Sequence, residues 1–147
     1  MSAKSREEIL AAVPQAEPFR FIDEILSLDE NEITATHRFR EDADFYRGHF
    51  PGNPVTPGVL LVEAMAQAGL VAHAIYLLGD DEREVMPLFT EANVEFLGKV
   101  DPGEKVLIHG RKKYFRMGKL SSEVEMRRAS DDSIVCRGTL AGLAVAR

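Results

Sequence analysis

The sequence predicts an α+β domain in which one apolar helix is enclosed by a curved antiparallel sheet of six strands. Three observations carry that prediction. Residues 57 to 78 hold one charged side chain, Glu63, among Val, Leu, Ala, Met and Ile, and a helix apolar on every side is a buried helix. Six other segments read as strands, two before this helix and four after it. The links between successive strands are short, which favours antiparallel pairing.

Taken in order, residues 5 to 13 read as a short helix with Ser5 as N-cap and Glu8 completing a capping box. Phe19-Arg20-Phe21-Ile22-Asp23-Glu24-Ile25 mixes aromatic and β-branched residues and predicts the first strand. Asp29-Glu30-Asn31 is a turn signal. Residues 32 to 40 then alternate Ile33, Ala35, His37 and Phe39 against Thr34, Thr36, Arg38 and Arg40, the period of a half-buried strand. The two segments pair as a hairpin. Gly48, Pro51, Gly52 and Pro54 mark residues 41 to 56 as a loop. Thr56 suits an N-cap and Pro57 the first helical position, so the helix starts there; Leu78-Gly79-Asp80-Asp81 ends it. Residues 85 to 96, 105 to 114, 119 to 128 and 133 to 146 supply the last four strands. Asp101-Pro102-Gly103-Glu104, Arg116-Met117-Gly118 and Ser130-Asp131-Asp132 are the turns between them.

At 147 residues the chain fits one domain, residues 1 to 147. A net charge of −6 argues against a nucleic-acid binder and against adhesion to anionic membranes. One cysteine, Cys136, excludes an intrachain disulfide framework, and strand alternation buries it with Ile134. The opening MSAKSREEIL lacks the apolar core of a signal peptide. Residues 57 to 78 are long enough to span a bilayer, but Glu63, Gln67 and His73 disfavour insertion. The expected address is the cytoplasm, with no membrane and no nucleic acid as partner.

Chemistry concentrates in residues 48 to 63. His49 stands at the mouth of the Pro/Gly-rich loop, and Glu63 lies inside the apolar helix to which the loop leads. A carboxylate there is costly unless paired, hydrogen-bonded or protonated. A structural helix acid belongs near the N-terminus, whereas Glu63 sits about two turns in, where the dipole effect has faded. A loop histidine alone would read as a surface residue; the downstream carboxylate reverses that. Gln67 lies one turn beyond Glu63 on the same face, where it either orients the carboxyl or is a plain buried polar residue. His37 and His109 follow strand alternation and His73 rides the buried helix, so all three read as structural. No histidine and carboxylate set has zinc-ligand spacing, so no metal is expected.

The run His49-Phe50-Pro51-Gly52-Asn53-Pro54-Val55-Thr56-Pro57-Gly58-Val59-Leu60, followed by Glu63-Ala64-Met65-Ala66-Gln67, resembles the signature of the beta-hydroxyacyl-acyl carrier protein dehydratases of the FabZ type. Pro18-Phe19-Arg20-Phe21-Ile22-Asp23 looks like that family's first strand. Asn93-Val94-Glu95-Phe96 with Asp101-Pro102-Gly103-Glu104 looks like its strand and turn after the helix. The resemblance implies the hot-dog fold, a curved antiparallel sheet around a central helix. Glu63 matches the FabZ branch, since the related dehydratase/isomerase branch usually carries aspartate. Three departures bear on substrate preference: Thr56 stands where methionine is usual, Gln15 and Glu17 fall in a segment that commonly reads His-Arg-Tyr, and Arg20 replaces an apolar residue.

The implied reaction turns (3R)-hydroxyacyl-acyl carrier protein into the trans-2-enoyl thioester in fatty acid or related acyl-chain biosynthesis. It needs a base for the C2 proton, an acid for the departing hydroxyl and a donor for the thioester oxygen. Histidine is the usual base near neutrality. A glutamate in water, at roughly 4.3, is too low for an effective acid, and burial is what raises such a carboxyl. The first N–H groups of a helix lack intrahelical partners, and Gly58 leaves room for an oxygen to approach them. The resemblance assigns His49 as base, Glu63 as acid and Gly58 N–H as oxyanion donor; Gln67, Val59 and Phe50 are further candidates to contact the substrate. It also implies that His49 and Glu63 of one site come from different protomers of a homodimer or trimer of dimers.

No cofactor beyond the carrier's phosphopantetheine arm is expected, and Phe50, Phe89 and Phe96 are candidates to line an apolar acyl tunnel. Arg111, Lys112, Lys113 and Arg116 cluster on one hairpin; they are either a solvated face or a docking patch for an acidic acyl carrier protein. The alternatives are a hot-dog thioesterase, which has no need of His49, a dehydratase of a specialised polyketide or polyene pathway, and a non-catalytic acyl-sensing module.

Overall fold

The computed structural model describes residues 4–79 and 85–146. Helix α1 (Arg6–Ala12) carries the capping box read from the sequence: Ser5 Oγ accepts from Glu8 N–H at 3.1 Å, and Glu8 Oε1 from Ser5 N–H at 3.0 Å. Strands β1 (Glu24–Leu28) and β2 (Glu32–Arg38) pair as the expected hairpin, its turn held by Asp29 Oδ1, which accepts from Asn31 and Glu32 N–H. The first strand starts later than its aromatic run suggested. Residues 19 to 23 lie outside β1: Phe19 carbonyl and Phe21 N–H bond to the Gln67 side chain instead of a neighbouring strand, and only from Asp23, whose N–H donates to Thr36 carbonyl at 2.7 Å, does the chain run alongside β2.

Helix α2 (Gly58–Leu78) is continuous, with its middle, Gln67–Ala72, wound as a π-helix that the residue pattern did not predict. It begins one residue later than expected. Pro57 occupies the N-cap, and Thr56 is no cap: its hydroxyl and the Tyr46 hydroxyl lie 2.6 Å apart, both buried. Gly79 closes the helix at φ 66, while Asp80 and Asp81 of the expected stop lie outside the described residues.

Strands β3 (Val85–Phe96), β4 (Lys105–Arg116), β5 (Lys119–Arg128) and β6 (Ile134–Ala146) join the hairpin in one sheet, ordered β1-β2-β4-β5-β6-β3. Every neighbouring pair is antiparallel. Met117 and Gly118, at φ 52 and 78, form the two-residue turn between β4 and β5, whose handedness suits the twist of the strands.

The sheet wraps α2 closely. A Cβ on Gly110 of β4 would lie 3.0 Å from Gly69 Cα of the helix, and one on Gly69 would lie 2.7 Å from Val124 Cγ2 of β5. Paired glycines let the helix backbone touch the sheet. Around them Met65, Ile108, Met126 and Leu140 are fully buried, as is Cys136, and the first four each contribute about 1.5–3 kcal/mol on leaving water.

Burial of α2 on every side holds only towards the sheet. Val59 is 77% exposed, Leu60, Val62, Ile75 and Leu78 are half-buried, and the edge strand β3 exposes Met86, Leu88, Phe89 and Phe96. A single sheet covers one side of a helix; the remaining apolar surface lines a cleft or faces outward.

Candidate active site

His49 is held by its own loop. A 3-10 turn, Asp44–Arg47, delivers Phe45 carbonyl to the N–H groups of Gly48 and His49 at 3.1 and 3.0 Å. Val55 N–H donates to His49 carbonyl at 2.9 Å, and Thr56 N–H to Val100 carbonyl at 2.9 Å, tying the loop to the chain beyond β3. His49 Nδ1 lies 2.9 Å from Val55 carbonyl oxygen. A carbonyl only accepts, so Nδ1 bears a proton, and in the neutral imidazole Nε2 is the nitrogen whose lone pair can act as base. Phe50, 53% exposed, stacks on the imidazole with centroids 4.2 Å apart.

Glu63 is half-buried. Its Oε2 accepts from Gln67 Nε2 at 2.9 Å. Gln67 is fully buried, and its amide is oriented by two backbone groups: Oε1 accepts from Phe21 N–H at 2.7 Å, and Nε2 donates to Phe19 carbonyl at 2.8 Å. The amide cannot flip without placing like groups together, so its N–H points at the carboxylate. The π-winding of α2 begins at this residue.

The N-terminus of α2 lies at the end of the His49 loop. Leu60 and Leu61 N–H both bond to Pro57 carbonyl, at 3.0 and 3.2 Å, so Gly58 and Val59 N–H precede the helical ladder and are the unsatisfied donors of its first turn. A Cβ on Gly58 would sit 3.1 Å from the Phe96 ring, which packs against this helix start.

A cleft of about 470 Å³ runs along the helix from Glu63 through Ala66, Leu70 and Ala74 to Leu78, closed by Leu88 and Phe89 of β3 and by Gln15 after α1. At about 1.5 Å per residue its helical wall is roughly 22 Å long. Of the three phenylalanines expected to line an acyl tunnel only Phe89 does; Phe96 covers Gly58 and Phe50 covers His49. His49 does not line this cleft either.

His37 pairs with Asp23 at 3.1 Å and His109 with Glu32 at 2.6 Å. Fully buried His73 places Nε2 2.9 Å from Asp29 carbonyl, and burial pushes its pKa below the usual histidine range, against the bond to Asp29. Cys136 packs its sulfur 3.3 Å from Met65 Sδ, and burial pushes its thiol up to about 12. The basic hairpin is partly spent on pairing: Arg111 meets Glu123 at 3.5 Å and Arg116 lies over the Tyr114 ring at 4.5 Å. Lys113 is exposed and Lys112 half-buried. Two features of the site lay beyond sequence reasoning, the Tyr46–Thr56 contact and Gln15 on the cleft wall. Both sit at the departures from the family pattern.

Comparison with known proteins identifies the family and the fold. Residues 13–138 match the family profile described as a FabA-like domain. The 3-hydroxyacyl-[acyl-carrier-protein] dehydratase FabZ of Lactococcus lactis subsp. cremoris is 34% identical over 135 residues, 90% of either chain. The same enzyme of Petrotoga mobilis is 42% identical over 103 residues, 69% of this chain and 70% of its own. Among solved structures, the dehydratase heterocomplex ApeI:P of Xenorhabdus doucetiae superposes with a TM-score of 0.77 at 14% identity, over 92% of this chain and 89% of its own. A thioesterase of Pseudomonas aeruginosa does so with 0.71 at 15% identity, over 99% and 97%. The architecture is therefore the hot-dog fold, and the chain belongs to the FabA-like family, on the branch of the FabZ-type 3-hydroxyacyl-[acyl-carrier-protein] dehydratases.

Proposed function

We propose that the protein is a hydro-lyase that converts (3R)-hydroxyacyl thioesters carried on acyl carrier protein into trans-2-enoyl thioesters, in fatty acid biosynthesis. The observation that carries this reading is the pair of oriented side chains: His49 with Nδ1 committed to Val55 carbonyl, and Glu63 with Oε2 committed to Gln67. His49 Nε2 takes the C2 proton. Gly58 and Val59 N–H face the thioester oxygen as its charge grows, where one such donor typically lowers the barrier by about 2.7–4 kcal/mol. Glu63 protonates the hydroxyl as the C3–O bond breaks. The acyl chain lies in the cleft that starts at Glu63.

The active unit in this reading is a homodimer or a trimer of such dimers, acting in the cytoplasm as one catalytic domain. Two features support a shared site: His49 is absent from the cleft that Glu63 lines, and the edge strand β3 exposes a row of apolar side chains. Lys113 and Arg116 serve the acidic carrier; reversing both charges should raise KM for carrier-bound substrate and spare a pantetheine thioester. The thioesterase alternative draws on likeness of fold alone.

The test is ultraviolet absorbance of the enoyl thioester formed from 3-hydroxyacyl carriers of graded length. Wild type should form it and His49→Ala and Glu63→Gln should not. Release of free thiol without enoyl product would replace the dehydratase with a thioesterase.

A further inference from the structure

Phe45 and Val55 hold His49 from the two sides of its loop. Phe45 carbonyl accepts His49 N–H at 3.0 Å, while Val55 N–H donates to His49 carbonyl at 2.9 Å and Val55 carbonyl lies 2.9 Å from Nδ1. The next residue after each of these anchors is Tyr46 or Thr56. Their hydroxyl oxygens lie 2.6 Å apart, across ten positions of chain. One hydrogen bond between side chains therefore fastens the two anchors of His49 to each other.

Little else packs this loop. From residue 41 to residue 60 Tyr46 and Thr56 are the two buried side chains, at 5% and 4% exposure, and residues 50 to 54 are all exposed. Each end of the bond has its own backbone support. Tyr46 sits in the 3-10 turn with its N–H on Ala43 carbonyl at 3.2 Å, and Thr56 N–H reaches the carbonyl of fully buried Val100 at 2.9 Å. In so dry a place water competes poorly for the hydroxyls, and the bond is stronger than an exposed one. Removing either oxygen strips the other of this partner, a cost that a shift of the loop relieves. Such a shift moves Val55, the residue next to Thr56, and with it the carbonyl on Nδ1.

We infer that Tyr46 and Thr56 are positioning residues for His49, their bond closing the neck of the loop so that Val55 carbonyl stays on Nδ1. The hydrogen bond made by one ring nitrogen of a histidine decides which nitrogen carries the proton. Closing the neck thus selects the tautomer in which Nε2 is free to accept one. The use of that nitrogen rests on the dehydratase reading, whereas the state of the ring can be observed without turnover.

Nitrogen NMR of isotopically labelled histidine rings tests this, with His49→Gln assigning the His49 signals. At a pH where the ring is neutral, wild type should show His49 protonated on Nδ1. Tyr46→Phe and Thr56→Val should each shift the ring signals towards an average of both tautomers and lower kcat by at least about 10-fold, with KM within about twofold. Thr56→Ser keeps a hydroxyl and should restore both readings. The double variant should lose no more than either single one, because the same bond is removed once. It also leaves neither hydroxyl unpaired, so it reports on the ring if a single variant fails to fold. A ring unchanged in the folded variants overturns the assignment whatever turnover or melting temperature does, and so do losses that multiply in the double variant. A wild type that forms no enoyl thioester, with the ring shifting as expected in the variants, sinks the dehydratase reading and leaves the neck standing.

Discussion

Replacing Gln67 by methionine removes the amide and leaves a side chain of similar length in a fully buried place. Three hydrogen bonds go with it, to Phe21 N–H, Phe19 carbonyl and Glu63. They do not weigh equally. Phe21 is buried, so its N–H stays dry and unpaired at a cost of about 1–3 kcal/mol. Phe19 is exposed and Glu63 half-buried, so water replaces much of what they lose. The stability loss should therefore be about 2–4 kcal/mol, read as a lower urea midpoint at unchanged slope. The rate should suffer more than that loss implies. A carboxyl free to rotate leaves its productive geometry, and a misplacement of about 1 Å costs on the order of 10²-fold in turnover. The assay is enoyl formation at saturating substrate, at a temperature where the variant is folded. A folded Gln67→Met enzyme with turnover within twofold of wild type would show that Glu63 needs no second side chain to aim it.

Gly58→Ala puts a methyl 3.1 Å from the half-exposed Phe96 ring, which has room to shift. The variant should fold with near-normal stability yet lose at least about 10-fold in turnover, since the methyl crowds the first-turn donors; normal turnover would move the oxyanion site elsewhere. His73 gives a pH signature. Its folded pKa lies below the unfolded value of about 6.5, so the unfolded chain binds more proton. The stability it contributes is whole above that value and declines as pH falls beneath it, with a slope of up to about 1.4 kcal/mol per pH unit. Asp29 and Lys112 are the charged groups that act on it, with opposite signs. His73→Gln should flatten the stability profile below pH 6.5 in urea titrations, and an unaltered slope would assign the acid sensitivity to another group.

The fold was largely legible because its signals are local and periodic. The capping box at Ser5 and Glu8, the alternation of β2, and the extent of β5 as residues 119 to 128 all follow from neighbouring residues. What escaped depends on contacts between distant segments. Phe19 and Phe21 carry strand-like side chains, but their backbone groups meet Gln67, more than forty residues away. Thr56 has the composition of an N-cap, yet Tyr46 takes its hydroxyl. The site divides in the same way. Glu63 and Gln67 stood out because polar groups in an apolar helix need a reason, and His49 because its loop leads to that carboxylate; helical spacing put Gln67 beside Glu63 but left open whether it orients the carboxyl, which the bond between them decides. The cleft wall did not stand out, since which apolar side chains face it depends on how α2 is wound and how β3 meets β6. Gln15 was visible as a departure in the sequence, but its place on the cleft wall was not.

The account rests on one imidazole and one carboxyl working at a single substrate from opposite protomers, and subunit mixing tests it most directly. His49→Ala and Glu63→Gln should each be inactive. When the two variants are mixed under conditions of subunit exchange, half the dimers carry both, and one of their two sites regains an intact pair. About a quarter of wild-type activity should return. Exchange confirmed by mass with no return of activity would contradict the shared site, and near-normal turnover in either variant alone would contradict the chemistry.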